Sequence, residues 1–205
     1  MTVQSFEGKT PRLGDGCWVH PSADVIGDVT LGARCWIGPG ARLRGDYGTI
    51  VLGDCCAVED NAVVHARPGE ACTIGSWVTL GHGCVVHNVH MLGDFAVVGM
   101  NAVVSDWAEV GEWAVVAEGA VVRQRAVVPA ARIAAGVPAR SSTARSTRST
   151  RPTGGASSRS TSTSAPATTP ATDCSPRSPW GQMSEPRRPS RREALPYQVL
   201  PAPRA

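Results

Sequence analysis

The stretch from residue 74 to residue 122 reads IGSWVTLGHGCVVHNVHMLGDFAVVGMNAVVSDWAEVGEWAVVAEGAVV. Every sixth residue is aliphatic: Ile74, Leu80, Val86, Leu92, Val98, Val104, Val110, Val116 and Val122. Four places after most of these stands a small residue, as at Val78, Cys84, Ala96, Ala102, Ala108, Ala114 and Ala120. A period of six is neither the 3.6 of a helix nor the alternation of an ordinary strand. It is the mark of a hexapeptide repeat and predicts an all-β fold, a left-handed parallel β-helix. One aliphatic per short strand points inward, and stacked coils bury a column that no single repeat could bury alone.

Outward from this core, the repeat reaches back through Ile37, Leu31 and Val25, with residues 1–20 read as a lead-in carrying a short strand at 17–19. Between Leu43 and Leu52 three extra residues break the period, and between Val64 and Ile74 four more. The phase resumes after each gap, so Asp46-Tyr47-Gly48 and Ala66-Arg67-Pro68-Gly69 should bulge as loops.

Composition divides the 205 residues into a β-helix domain, 1–139, and a Ser/Thr/Arg/Pro-rich tail, 140–205. The first part carries a net charge of −5 and the second +8, which together give the overall +3. With scarcely an aliphatic before Leu195, the tail predicts disorder. It reads as a solvated segment rather than a nucleic-acid ligand. The seven Cys form no CxxC pair, and several fall at small inward positions, which reads as buried thiols. The odd count, with no apolar leader at the start and no run able to span a membrane, points to a cytoplasmic protein.

The sequence holds five histidines, His20, His65, His82, His87 and His90. Three hexapeptides make one triangular coil, so residues 18 repeat positions apart stack. Once the extra residues are discounted, His65 lies 18 positions from His87, and Arg44 lies 18 from His65. These three should form one column with coils about 4.8 Å apart, close enough for two imidazoles to share a metal. His82 stacks over Asp60 on a different face and could reach only a metal held by a neighbouring subunit. Three neutral imidazoles with an open position suit a catalytic zinc. His20 and His90 read as non-ligands, with His90 at a position that is normally small and inward.

Arg44-Gly45-Asp46, the run from Glu59 to His65, the run from Gly81 to His87, and Gly99-Met100-Asn101-Ala102 together resemble the γ-class carbonic anhydrases. The resemblance covers about residues 10–140 and is to the branch that includes phenylacetate- and carnitine-operon homologues. It implies a homotrimer with a metal ion at each subunit interface, zinc by preference, with Fe2+ or Co2+ as alternatives. His65 and His87 would bind from one subunit and His82 from the next. Arg44, Asp46 and Asp60 would form interface ion pairs, with Arg44 also near bicarbonate. The activity implied is that of a carbon–oxygen lyase: reversible hydration of CO2 to bicarbonate by hydroxide held on the metal.

The chain departs from the family pattern in three ways. Glu59 stands where the family has a water-orienting Gln, Tyr47 replaces an acidic residue, and the long acidic loop is missing. That leaves Glu70 as the nearest substitute proton shuttle. The disordered tail replaces the family's C-terminal helix. Two other readings stay open: an acyl-CoA thioesterase or acyltransferase using the same cleft, and a catalytically weak metal-binding scaffold.

Overall fold

A computed structural model describes residues 2–145. Its described residues hold strands and turns and no helix, so none is long and apolar enough to cross a membrane. The strands are mostly two residues long, because each hexapeptide spends two residues on a rung and the rest on a corner.

The rungs stack into three parallel faces, giving the left-handed β-helix type that the six-residue period predicts. The first face places Val63–His65, Val85–His87, Val103–Val104 and Val121–Val122 on the leading half of the long strand Arg42–Leu52. The second places Ala71–Ile74, Met91–Leu92, Glu109–Val110 and Val127–Val128 on its trailing half. The third runs from Trp18–Val19 through Trp36–Ile37, Ala57–Val58, Thr79–Leu80, Val97–Val98 and Val115–Val116 to Arg132–Ala135.

All nine aliphatics of the 74–122 series are buried, as are the small residues four places on. Each buried valine contributes about 1.5–3 kcal/mol relative to exposure, and it can do so only because the coils above and below close over it. Asn and Gly alternate at the corner that precedes the first face. Asn61, Gly83, Asn101 and Gly119 all have φ between 55° and 66° there, a left-handed turn those residue types tolerate.

The structure corrects the expected boundaries at both ends. Arg12–Leu13 and Trp18–Val19 are full rungs, paired with Thr30-Leu31 and Trp36-Ile37, so the helix begins about a coil before Val25. Leu13 and Val19 already stand in phase with Val25, and that signal was available in the sequence. At the other end, Arg140–Arg145 turns back antiparallel onto Arg132–Ala135, continuing the ordered fold six residues past residue 139. The expectation of disorder for the rest of the tail lies outside the described residues.

Both insertions fall at one corner, between the first and second faces. The first is not a separate loop. Arg42–Leu52 is continuous strand, and the extra residues appear as a register shift opposite Gly27 to Val29. The second leaves the ladder after His65 and rejoins it at Ala71. The two pack tightly, since a Cβ at Gly48 would overlap the Arg67 carbonyl.

Candidate functional site

Register places Arg44, His65 and His87 in one column: Arg44 pairs with His65, and His65 with His87. The rungs of His65 and His87 end at the corner that carries both insertions, and Arg44 stands where the long strand Arg42–Leu52 crosses it, so the side chains meet polar groups there. The imidazoles of His65 and His87 lie 5.3 Å apart between centroids, with His65 Nδ1 3.3 Å from His87 Nε2. Each ring is backed by a carboxylate from an adjoining coil. His65 Nε2 is 3.0 Å from Asp46, and His87 Nδ1 is 2.8 Å from Asp106.

Those contacts fix the tautomers. Both aspartates are held ionised: burial opposes the Asp46 charge, but hydrogen bonds from Arg44 and His65 bring its carboxyl below the usual range. The hydrogen bond from Arg67 first, and that from His87 after it, does the same for Asp106 against the cost of burial. An ionised carboxylate only accepts, so each ring donates its outer N–H to its aspartate and turns a lone pair inward. Two inward lone pairs at 3.3 Å repel unless a cation lies between them. Two nitrogens bound to zinc at tetrahedral angles stand about 3.3–3.4 Å apart. The donor set therefore fits a metal, with the carboxylate–histidine backing typical of such sites.

His82 is elsewhere. It follows Thr79–Leu80 on the third face and occupies the corner before the first, with Nδ1 3.5 Å from Asp60. Glu59, Asp60 and His82 bring donor atoms within 4.8 Å of one another, and this is the one such trio among the described residues. The left-handed turn at Gly83 and the rung Val85–His87 separate His82 from His87. The His65–His87 pair and the Glu59–Asp60–His82 trio thus stand at different corners.

Glu59 is buried, and burial pushes its carboxyl pKa up, with His82 opposing and Asp60 adding to the rise. Arg44 donates through Nε and Nη2 to one oxygen of Asp46, Oδ2, at 3.1 and 2.7 Å, and keeps 43% of its side chain exposed. Tyr47 is exposed and meets His65 edge-on, with ring centroids 6.3 Å apart. Glu70 lies in the second insertion, where Asn88 and Trp107 both donate to its Oε2, at 2.9 and 2.5 Å. Those bonds lower its pKa and make it a poor proton acceptor near neutrality.

His20 hydrogen-bonds Ser22 and contacts Trp18, apart from both groups. His90 is exposed, not inward, because Val89 fills the core position of that corner instead. Cys35, Cys56, Cys72 and Cys84 are buried free thiols, and burial pushes Cys72 and Cys84 up to about 12, beyond nucleophilic use. Asp106 and Arg67 were not anticipated as site residues. The available signal was an acid one coil and one residue beyond a histidine.

The pattern described as "Bacterial transferase hexapeptide (six repeats)" matches residues 10–45. A hexapeptide transferase family protein from Anaplasma phagocytophilum is 33% identical, with a TM-score of 0.65 over 68% of this chain and 82% of that one. The chain belongs to the hexapeptide transferase family. The carnitine operon protein CaiE of Escherichia coli K12 is 36% identical over 101 residues, 49% of this chain and 51% of CaiE. This chain thus spans about half the length of the curated relatives it matches. PerB from Caulobacter crescentus, solved in complex with CoA and GDP-perosamine, is 27% identical with a TM-score of 0.55, over 63% of this chain and 58% of that one.

Proposed function

We propose that this protein is a metal-dependent hydratase of the γ carbonic anhydrase type, interconverting CO2 and bicarbonate at the interfaces of a homotrimer. The observation that carries this reading is the His65–His87 pair, whose inner nitrogens face each other at 3.3 Å while each outer nitrogen is committed to an aspartate. A zinc ion held there would supply the Lewis acidity that brings bound water to a pKa of about 7, as carbonic anhydrase itself exemplifies.

The chain's own residues account for the rest. His65 and His87 hold the metal from one protomer, with Asp46 and Asp106 fixing ring orientation. His82 of a neighbouring protomer completes the set, because no motion of a rigid coil brings its own His82 across the first face. Arg44 offers exposed guanidinium N–H groups to a bicarbonate oxygen. Glu59, buried next to His82, accepts or donates a hydrogen bond to the reacting water according to its protonation. With Glu70 tied to Asn88 and Trp107, buffer carries the proton away. Metal content per subunit, molar mass and stopped-flow CO2 hydration of the parent and of His82→Ala test this together. The variant should keep its β-helix and lose metal and activity, and full metal retention would overturn the interfacial assignment.

A second reading is CoA-dependent acyl transfer. Kinship favours it more directly than the first, since relatives in the family are transferases and PerB is seen with CoA. The exposed His82, backed by Asp60 at 3.5 Å, suits a general base. It would take the proton of an acceptor amine or hydroxyl as that atom attacks the thioester and CoA leaves as the thiol. Thiol release from acetyl-CoA, abolished in His82→Ala and indifferent to chelators, would select this reading over the first.

A further inference from the structure

The polar network at the insertion corner is more symmetric than the family resemblance implies. On one side, Arg44 grips Asp46 through two nitrogens and Asp46 receives His65. On the other, Arg67 grips Asp106 through Nε at 2.6 Å and Nη2 at 3.1 Å, and Asp106 receives His87. The first clamp is local, two residues apart in one strand. The second joins residues 39 positions apart and exists only because the second insertion carries Arg67 across to the coil beyond His87.

That insertion is pinned at both ends. The Arg67 amide donates to the side-chain oxygen of the buried Asn88, at 3.0 Å, and Asn88 in turn donates to Glu70. Trp107, next to Asp106, holds Glu70 from the other side, and its ring lies 5.6 Å from the Arg67 guanidinium and 4.4 Å from that of Arg125. Glu70 is thus spent on holding the loop, and the loop on presenting Arg67. Arg67 contacts both oxygens of Asp106, and a charge-assisted bidentate pair of this kind fixes the carboxylate plane as well as its position.

We infer that Arg67 and Asp106 are positioning residues for His87, and that the 66–70 insertion exists to build this second clamp and so set metal affinity. The inference rests on the metal-centre reading above. The clamp acts on ring orientation, so it should be legible in metal binding itself, without any turnover. Partners that orient a ligating histidine are typically worth about 10–100-fold in metal affinity.

The test measures the zinc dissociation constant of the full chain by chelator competition, with the visible absorption of the Co2+-loaded protein as a second readout. Asp106→Ala should weaken zinc binding about 10–100-fold and change the Co2+ spectrum. Asp106→Asn, which keeps an acceptor for the ring N–H, should recover part of the loss. Arg67→Ala, an exposed substitution that leaves the coil packing intact, should weaken binding by a smaller factor and carries the test should Asp106→Ala fail to fold. If both alanine variants bind zinc within twofold of the parent while His87→Ala loses it, the clamp is refuted and the metal centre stands. If His87→Ala binds zinc as the parent does, the metal reading falls and the clamp falls with it.

Discussion

From Leu92 to Val128 the six-residue period runs unbroken, and apart from Asp106 and Trp107, which reach back to the insertion, that part of the molecule is mostly packing: buried Val and Ala inside and short rungs. From Leu43 to Ile74 the period is broken twice, and there the corner between the first and second faces fills with Arg44, Asp46, His65, Arg67 and Glu70. Both regions share the same ladders and the same buried column. The difference is that a perfect repeat presents the same small corner at every coil, whereas an insertion lets a coil send side chains past its own rung to its neighbours. Most of the corner chemistry gathers where the repeat fails, and the unbroken coils beside it contribute His82, His87 and Asp106.

The sharpest way to break this division is to cross it. Leu92→Ala, at a fully buried site, should cost about 2–5 kcal/mol of stability, read as a lower thermal midpoint, while the protein that remains folded keeps its metal. His65→Ala should do the reverse: metal content and CO2 hydration fall to background while stability changes by about 1 kcal/mol, because the ring is only partly buried and lies outside the apolar column. Similar stability losses from the two substitutions would show that the site and the frame are not separable.

Smaller effects test the corners. At the corner between the second and third faces, Trp77, Phe95 and Trp113 stack in a half-buried column, with centroids 6.2 and 4.2 Å apart. All three occupy left-handed turns with φ near 60°, which bulky residues seldom adopt. Phe95→Ala breaks both ring contacts, each worth about 0.5–1.5 kcal/mol. The expected result is a modest fall in the denaturant midpoint with zinc affinity unchanged. A loss of zinc binding would mean this corner belongs to the site.

Much of this was legible in the sequence because the period is a ruler. Counting in eighteens, with the insertions discounted, puts Arg44, His65 and His87 in one column and His82 over Asp60, and the register agrees. What the ruler missed depends on side chains leaving their own coil. Asp106 is one step off the His87 register, and Arg67 reaches it only through the insertion. His90 points outward because the left-handed turn falls at Asn88, with φ of 46°, and Val89 takes the inward place. The first insertion was expected as a loop but is strand, since extended residues at a corner can keep pairing with the coils on either side.

The smallest expected effect concerns Glu59, the departure that most separates this chain from its family resemblance. Its carboxyl is buried, and burial raises its pKa above the ordinary glutamate value. A carboxyl whose folded pKa is raised stabilises the fold below the unfolded value and loses that contribution as pH climbs through the folded one. The protonated acid resembles glutamine, with one donor and one acceptor. The ionised form places a negative charge beside His82. Glu59→Gln should therefore match the parent in stability at acid pH and exceed it slightly above, as thermal melts across that range would read. In CO2 hydration the same substitution should raise neutral-pH turnover, because the amide keeps both hydrogen-bonding roles without adding charge. A variant less stable than the parent at neutral pH would mean that the Glu59 carboxylate is held by the His82 charge more strongly than burial opposes it.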